Sequence, residues 1–406
     1  MTTSEFPDPM TPLTPFEHQP RTTLVFGVHS VDRTGELARA MGAKKVLLVT
    51  DPGIAAAGHA ARVQRALQAA GLTVTCFDQV RENPSTQCVE ACAAAARAAV
   101  VDTIVGLGGG SSMDTAKGGN FLLTNGGRMQ DYWGSGKAAK PMLPLIAIPT
   151  TAGTGSECQS FALITDERTH QKMACGDPKA AARIAILDPG LTVSQPARVT
   201  AFTGIDAISH AVETAVTKNR NALSIMYSHE AFRLAITHLP RVLQHPHDLE
   251  ARGHMLLGAA WAGIAIENSM LGAAHAAANP LTAHFGRIHG QAVGMMLPAV
   301  VRFNAAEPAA KRAYAELASA PEIACVSDGP DRAVAALVAR LEWLLNAAGF
   351  PRSLGDLGVP PSAIPDLARE AAQQWTAAFN PRALSALDFE KLYETAFEPR
   401  PDGRAN

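Results

Sequence analysis

The chain has 406 residues, room for two or three domains. At 47% hydrophobic and 18% charged it carries apolar material for a large core, which excludes a disordered chain. Thirty-five Lys and Arg against 37 Asp and Glu leave a net charge of −2 with no basic block, so nucleic acid is not an expected partner. The longest uncharged apolar run, 255–266, falls short of the roughly 20 residues that cross a bilayer, so no membrane span is expected.

In chain order, the first stretch, MTTSEFPDPMTPLTP, is rich in Pro, Thr and acid and does not read as a signal peptide. Strand-like runs follow at 45–50, 72–78, 103–107, 143–149 and 183–188, the first three separated by helical windows at 54–70 and 85–99. Such alternation means βαβ units, a mostly parallel sheet and right-handed crossovers. After Pro196 the strand signal stops. Helical windows then run at 198–217, 221–244, 248–268, 289–304, 308–319, 330–348, 363–378 and 387–396, with Pro and Gly punctuating several ends. The expected fold class is α/β plus all-α, with an α/β domain at 1–195, an all-helical domain at 196–406 and the site in the cleft between them. Six cysteines, Cys76, Cys88, Cys92, Cys158, Cys175 and Cys325, form no disulfide framework. Cys88 and Cys92, four apart, lack a second pair and read as small buried side chains. A cytoplasmic location is the expectation.

The run at 103–107 leads into Gly108-Gly109-Gly110-Ser111-Ser112 and a helical stretch containing Asp114 and Lys117. A strand, a glycine turn and a helix N-terminus gather backbone N–H groups around an anion, although the same pattern serves as a plain tight turn. A P-loop is excluded: before Gly134-Ser135-Gly136-Lys137 stand Gln130 and Asp131 instead of the required Gly, and Ala138 follows the Lys. The common dinucleotide fingerprint places its ribose-binding acid about 20 residues after the glycines. Here the strand-end acid, Asp51, precedes them. A second polar loop, Thr150-Thr151-Ala152-Gly153-Thr154-Gly155-Ser156-Glu157, follows the run at 143–149, at a carboxyl edge where ligands of parallel sheets bind.

Of 13 histidines, His18, His29, His59, His170, His229, His238, His245 and His247 read as surface or satisfied core residues. Asp206 and His210, four apart in a helical stretch, share one otherwise apolar face, where both need a partner. His275 and His289 lie fourteen residues apart, with Pro280 and Gly286 expected to break any single helix between them, so they converge from different segments. One carboxylate and three imidazoles suit Fe²⁺ or Zn²⁺. Spacing alone leaves open a metal site and a set of buried polar residues paired with each other.

Four segments together resemble the iron-containing (group III) alcohol dehydrogenase family: GGGSSMDTAK at 108–117, IPTTAGTGSE at 148–157, TGIDAISHAVE at 203–213 and GAAHAAANPLTAHFGRIHG at 272–290. The likeness extends from TDPGI at 50–54 and ENPS at 82–85 to NPRALSALDFEKLY at 380–393. It implies an N-terminal dinucleotide-binding domain whose acid precedes the glycine loop, and a C-terminal helical metal-binding domain, an architecture shared with dehydroquinate synthases. By the resemblance, Asp51 binds the adenosine ribose and its charge favours NAD over NADP; Asn83 also contacts the cofactor. Gly109, Gly110 and Ser111 hold the pyrophosphate, with Asp114 close by. Thr150, Thr151 and Thr154 line the nicotinamide side and Leu191 the adenine side. Asp206, His210, His275 and His289 match the metal ligands, for Fe²⁺ or alternatively Zn²⁺. Where the family often has a second histidine, four residues after the third ligand, stands Asn279, which cannot shuttle protons. His284 is the nearby candidate for that relay.

The implied activity is reversible NAD-linked oxidation of an alcohol to an aldehyde or ketone, the metal acting as a Lewis acid on the substrate oxygen. The runner-up is a reductase of a carboxylated substrate, of the hydroxy acid or maleylacetate type. A synthase (a lyase) is disfavoured because 260–290 offers mainly Arg287 to bind phosphate and carboxylate, and a non-catalytic nucleotide binder because all four ligand positions are intact. The resemblance also implies a homodimer or larger homo-oligomer.

Overall fold

A computed structural model of the chain describes residues 14–169 and 171–401. The signal-peptide reading at 1–13 and the reading of His170 lie outside the described residues. Nine strands are described: β1 (Thr23–Phe26), β2 (Lys45–Val49), β3 (Thr73–Phe77), β4 (Thr103–Gly108), β5 (Gly134–Ser135), β6 (Leu145–Pro149), β7 (Phe161–Thr165), β8 (Lys172–Gly176) and β9 (Ile184–Leu187). Six of them form one sheet, ordered β1-β9-β6-β4-β2-β3, with every neighbouring pair parallel. All five strand-like runs of the sequence are members. The sixth member, β1, is only four residues long and lies outside those runs.

The strands β4 and β6 are buried at every residue, as a parallel sheet covered on both faces requires. Alternate side chains feed two cores. Val46, Leu48, Val105, Leu107, Ile146 and Ile148 pack with Val63 and Leu67 on one face. Leu47, Val49, Ile104, Leu145 and Ala147 pack with Cys92, Ala96, Met113 and Ala116 on the other. Cys92 is therefore core and its thiol is pushed up by burial, while Cys88 is partly exposed. A second sheet, which the strand-like runs do not foreshadow, is β5-β8-β7, with β5 parallel and β7 antiparallel to β8.

The helices accompanying the strands are α1 (Thr34–Ala40), α2 (Pro52–Ala56), α3 (His59–Ala69), α4 (Thr86–Ala99) and α5 (Gly110–Asn125). The expected helix at 54–70 is two, because Gly58 takes φ +85° between them. Then follow α6 (Ala197–Thr214), α7 (Ala222–Gln244), α8 (Leu249–Ser269), α9 (Ala273–Phe285), α10 (His289–Asn304), α11 (Pro308–Ser319), α12 (Pro330–Ala347), α13 (Ile364–Ala372) and α14 (Ala386–Phe397). Pro280 does not break its helix as expected: α9 runs through it and ends at Gly286, at φ +59°. Losing one N–H costs a single hydrogen bond, whereas the left-handed residue ends the helix. The window at 363–378 is α13 flanked by short 3₁₀ turns.

Contacts divide the chain into two compact units. One is His18–Thr200 with His245–Gly263; the other includes Ala201–Gln244 and, in its described part, Ile264–Asn406. The expected single cut at 195/196 places 245–263 with the helices. That segment joins the sheet unit because α8 lies backbone to backbone on the loop after β6. A Cβ on Gly263 would stand 2.3 Å from the Gly155 carbonyl oxygen, and Arg252 donates to the Thr192 carbonyl at 2.7 Å. Among the described residues, no helix is long and apolar enough to cross a membrane.

Candidate functional site

On α6, Asp206, His210 and Glu213 stand at positions i, i+4 and i+7 and so share one face, buried along with the rest of Gly204–Thr214. His275 enters from the first turn of α9 and is equally buried. Its ring stacks on that of His210, with centroids 4.8 Å apart and an interplanar angle of 18°. His289 opens α10, its ring centroid 5.4 Å from that of His275. The approach of α10 to α6 depends on Gly290, where a Cβ would come within 2.3 Å of the Phe202 carbonyl oxygen. Among the described residues, Asp206, His210 and His275 form a buried group with one donor atom each, all within 4.8 Å of one another.

Nε2 of His210 and Nε2 of His275 both lie 3.6 Å from Oδ1 of Asp206. That is too long for a good hydrogen bond. It is close to the roughly 3.4 Å edge of a tetrahedron of donors bound at about 2.1 Å to a central ion. Asp206 Oδ1 and His275 Nε2 are buried with no hydrogen-bond partner, which is costly unless something else satisfies them. One carboxylate and imidazoles without a thiolate fit a divalent transition ion.

Glu213 fixes the ring of His275. Its Oε2 lies 2.5 Å from His275 Nδ1, and its two oxygens accept from the N–H groups of Gly272 (3.2 Å) and Ala274 (2.6 Å), at the N-terminus of α9. With Nδ1 donating to Glu213, the Nε2 face is the one left for a metal. Burial raises the Asp206 carboxyl, but the imidazoles of His210, His275 and His289 override it and hold it well below the usual carboxylate range. Burial likewise pulls the His275 imidazole down, and Glu213 with Asp206 carries it up to about 9. A divalent ion entering the cluster would displace that proton.

In the other unit, Asp51 follows β2 and caps α2, accepting from the Ile54 N–H at 3.0 Å. Its Oδ2 is 3.5 Å from Ser112 Oγ, on the helix that follows the glycine loop. Parallel pairing of β2 with β4 puts the two ends side by side, so the order that looks reversed along the chain is adjacent in space. Gly109 caps α5 without a side chain, which leaves the helix N–H groups open to an anion. A Cβ on Gly110 would meet Thr154 Cγ2 at 2.9 Å, so the loop after β4 and the loop after β6 touch along a narrow cradle. Beneath it the buried Lys117 Nζ donates to the Ser156 carbonyl (2.5 Å), Ser156 Oγ (2.9 Å) and the Phe161 carbonyl (2.9 Å), and Ser156 Oγ donates to Asp114 Oδ1 at 2.9 Å.

The profile described as "Iron-containing alcohol dehydrogenase" matches residues 20–189, and that described as "Fe-containing alcohol dehydrogenase family, C-terminal" matches 200–397. The chain belongs to the iron-containing alcohol dehydrogenase family. It is 33% identical to the NAD-dependent methanol dehydrogenase of Bacillus methanolicus, over 92% of this chain and 97% of that relative. To the 1,3-propanediol dehydrogenase of Klebsiella pneumoniae it is 34% identical, over 92% and 96%. A crystal structure of a 1,3-propanediol oxidoreductase superposes with a TM-score of 0.91 at 31% identity, covering 94% of this chain and all of that one. An alcohol dehydrogenase from Oenococcus oeni also gives 0.91, at 29% identity, covering 94% and 100%. The chain is therefore an oxidoreductase of the alcohol dehydrogenase type, with the fold class expected from its sequence.

Within this family member, Asp206, His210 and His275 come together, with His289 beside them. Of the expected cofactor residues, Asp51, Gly109, Gly110, Ser111, Asp114, Thr150, Thr151 and Thr154 gather at and just beyond the carboxyl ends of β2, β4 and β6. Asn83 is exposed after β3, in the left-handed region at φ +51°. Leu191 is fully buried in the sheet core, so its side chain offers no surface to a ligand. Asn279 donates to Gln374 Oε1 at 3.0 Å. His284, nine residues beyond His275 on α9, points about half a turn away from it and pairs with Glu370 at 2.8 Å on the exposed side. The sequence reading assigns no role to Glu213 and none beyond its place in the motif to Lys117, although Glu213, three residues after His210, falls on the same helix face as Asp206 and His210.

Proposed function

We propose that this chain is a metal-dependent, NAD-linked alcohol dehydrogenase that interconverts a small alcohol and its aldehyde or ketone. The observation that carries the reading is the buried carboxylate–imidazole cluster whose facing donors, Asp206 Oδ1 and His275 Nε2, have no hydrogen-bond partner. In support, relatives at 33–34% identity are named as an NAD-dependent methanol dehydrogenase and a 1,3-propanediol dehydrogenase.

Asp206, His210, His275 and His289 would hold the ion, Fe²⁺ or Zn²⁺, and Glu213 would keep the His275 ring turned toward it. Bound, such an ion supplies Lewis acidity at the substrate oxygen, and the nicotinamide supplies or accepts the hydride. Asp51 would accept hydrogen bonds from ribose hydroxyls, its charge disfavouring a 2′-phosphate. The N–H groups of Gly110, Ser111 and their neighbours at the start of α5 would receive the pyrophosphate, and Thr150, Thr151 and Thr154 would line the nicotinamide side. Asn279, an amide bonded to Gln374, would position rather than exchange a proton. The reaction's proton would leave through water or a cofactor hydroxyl, since His284 faces Glu370 on the surface.

The test is NADH formation followed by absorbance with purified, iron-reconstituted protein, against short primary alcohols, diols and hydroxy acids, with a metal-stripped control. Metal-dependent turnover of an alcohol or diol is the expected result. Turnover confined to hydroxy acids would move the assignment to a carboxylated substrate, and metal-independent turnover would overturn it.

A further inference from the structure

Away from both of these sites, α10, α12, the end of α14 and the chain after it line a half-open cavity of about 290 Å³, near the lower end of small-molecule pockets. Its charged lining is Arg302, Glu342, Arg352, Glu398 and Arg400, with Met295 and several prolines and alanines completing the wall. All of these belong to one compact unit.

Arg400 sets its chemistry. The residue is only 7% exposed. Its Nη1 donates to Met295 Sδ at 3.2 Å, a weak acceptor, and its Nη2 to the Pro351 carbonyl at 2.5 Å. Its Nε–H is buried with no partner, and among the described residues no carboxylate pairs with it. A buried cation is ordinarily matched by an anion, because desolvation is otherwise uncompensated. Burial pulls this guanidinium down to about 10, with Arg352 adding to the effect and Glu342 and Asp356 opposing it.

Glu342 and Asp356 favour the charged form of Arg400, but among the described residues neither forms an ion pair with it. Glu342 binds Arg302 at 2.6 Å. Arg352 donates through Nε (3.0 Å) and Nη2 to the Arg400 carbonyl, which anchors the segment that presents Arg400. Among the described lining residues, three guanidinium groups stand with two carboxylates. A buried guanidinium in a cavity wall, with no carboxylate paired to it among the described residues, suits a carboxylate or a phosphate, and the apolar wall accommodates a short aliphatic body.

We infer that this cavity is a binding site for a small oxyanion, a carboxylate or a phosphate, seated on Arg400. The inference does not depend on the proposed activity. The test titrates the full chain with inorganic phosphate and, separately, with butyrate at constant ionic strength, with chloride as control, reading binding heat and the shift in thermal midpoint. Saturable binding to one site per chain is expected. Arg302→Gln, a change at a half-exposed rim residue, should weaken it by roughly threefold. Glu342→Gln, which removes a negative charge and releases Arg302, should tighten it. Arg400→Met should cost at least about tenfold. If that variant does not fold, the opposite responses of the two rim variants decide. Phosphate binding alone would identify a phosphate site, and butyrate binding alone a carboxylate site. Stabilisation no greater than that by chloride would overturn the inference. So would binding indifferent to both rim substitutions, as phosphate held at the glycine loop would be.

Discussion

Glu213 ties three things together: the His275 ring, the N-terminus of α9 and the face of α6 that carries Asp206 and His210. If it positions rather than ligates, Glu213→Gln should lower metal affinity roughly 10–100-fold while leaving a folded protein, as measured by chelator competition. His275→Ala should abolish metal binding and turnover with the circular dichroism spectrum intact; retained turnover would sink the ligand assignment. In the sheet unit Glu157 is buried, with Oε1 unpartnered. Burial raises its carboxyl from 4.5 to about 7, against weaker opposition from its own backbone N–H and Lys117. The unfolded chain ionises this group near 4.5, so the folded state holds the extra proton between those values. Its contribution to stability is therefore intact below pH 4.5 and lost as pH rises through about 7, a loss on the order of 3 kcal/mol. Glu157→Gln should flatten that slope in urea unfolding compared between mildly acidic and mildly alkaline buffer. The same slope in both proteins would show that Glu157 is not its source.

The contact of the loop after β4 with the loop after β6 makes Gly110 a test of the cradle. Gly110→Ala brings a methyl group against Thr154 Cγ2 and should weaken NAD binding by about tenfold, or ~1.4 kcal/mol. Thr154→Ser on that background deletes the opposing methyl and should restore part of the affinity, measured by titration calorimetry. These elements were largely legible in the sequence, because buried strands of a parallel sheet read as continuous apolar runs. The β7–β8 hairpin was not: Phe161–Thr165 and Lys172–Gly176 are short, and β7 is held by packing on α5. For α9, the sequence rule that proline ends a helix lost to the surrounding burial of Ala273–Ala278, Pro280 and Leu281.

The residues read as cofactor contacts all lie in His18–Thr200, and the four read as metal ligands all lie in the other unit. Chelation should therefore abolish turnover while leaving NAD affinity unchanged, and Fe²⁺ should restore the rate. A parallel loss of NAD binding would show that the two units are not independent in this respect. The division itself departs from a single cut of the chain, since His245–Gly263 groups with the sheet. Composition cannot reveal this, because α8 reads as one continuous helix along its whole length. The close approach of Gly155 to Gly263 and the Arg252 hydrogen bond to the Thr192 carbonyl show which partner it packs against.

The residue types and their order were sufficient for the fold class, the glycine loop, the four candidate ligands and the family resemblance, because helix and strand periods and local motifs are properties of neighbours along the chain. Glu213 as the partner of His275, the turn of His284 away from it, the burial of Leu191 and the Arg400 guanidinium without a carboxylate depend on residues brought together from distant positions. Those contacts are decided by packing, and so they became visible only in the tertiary structure.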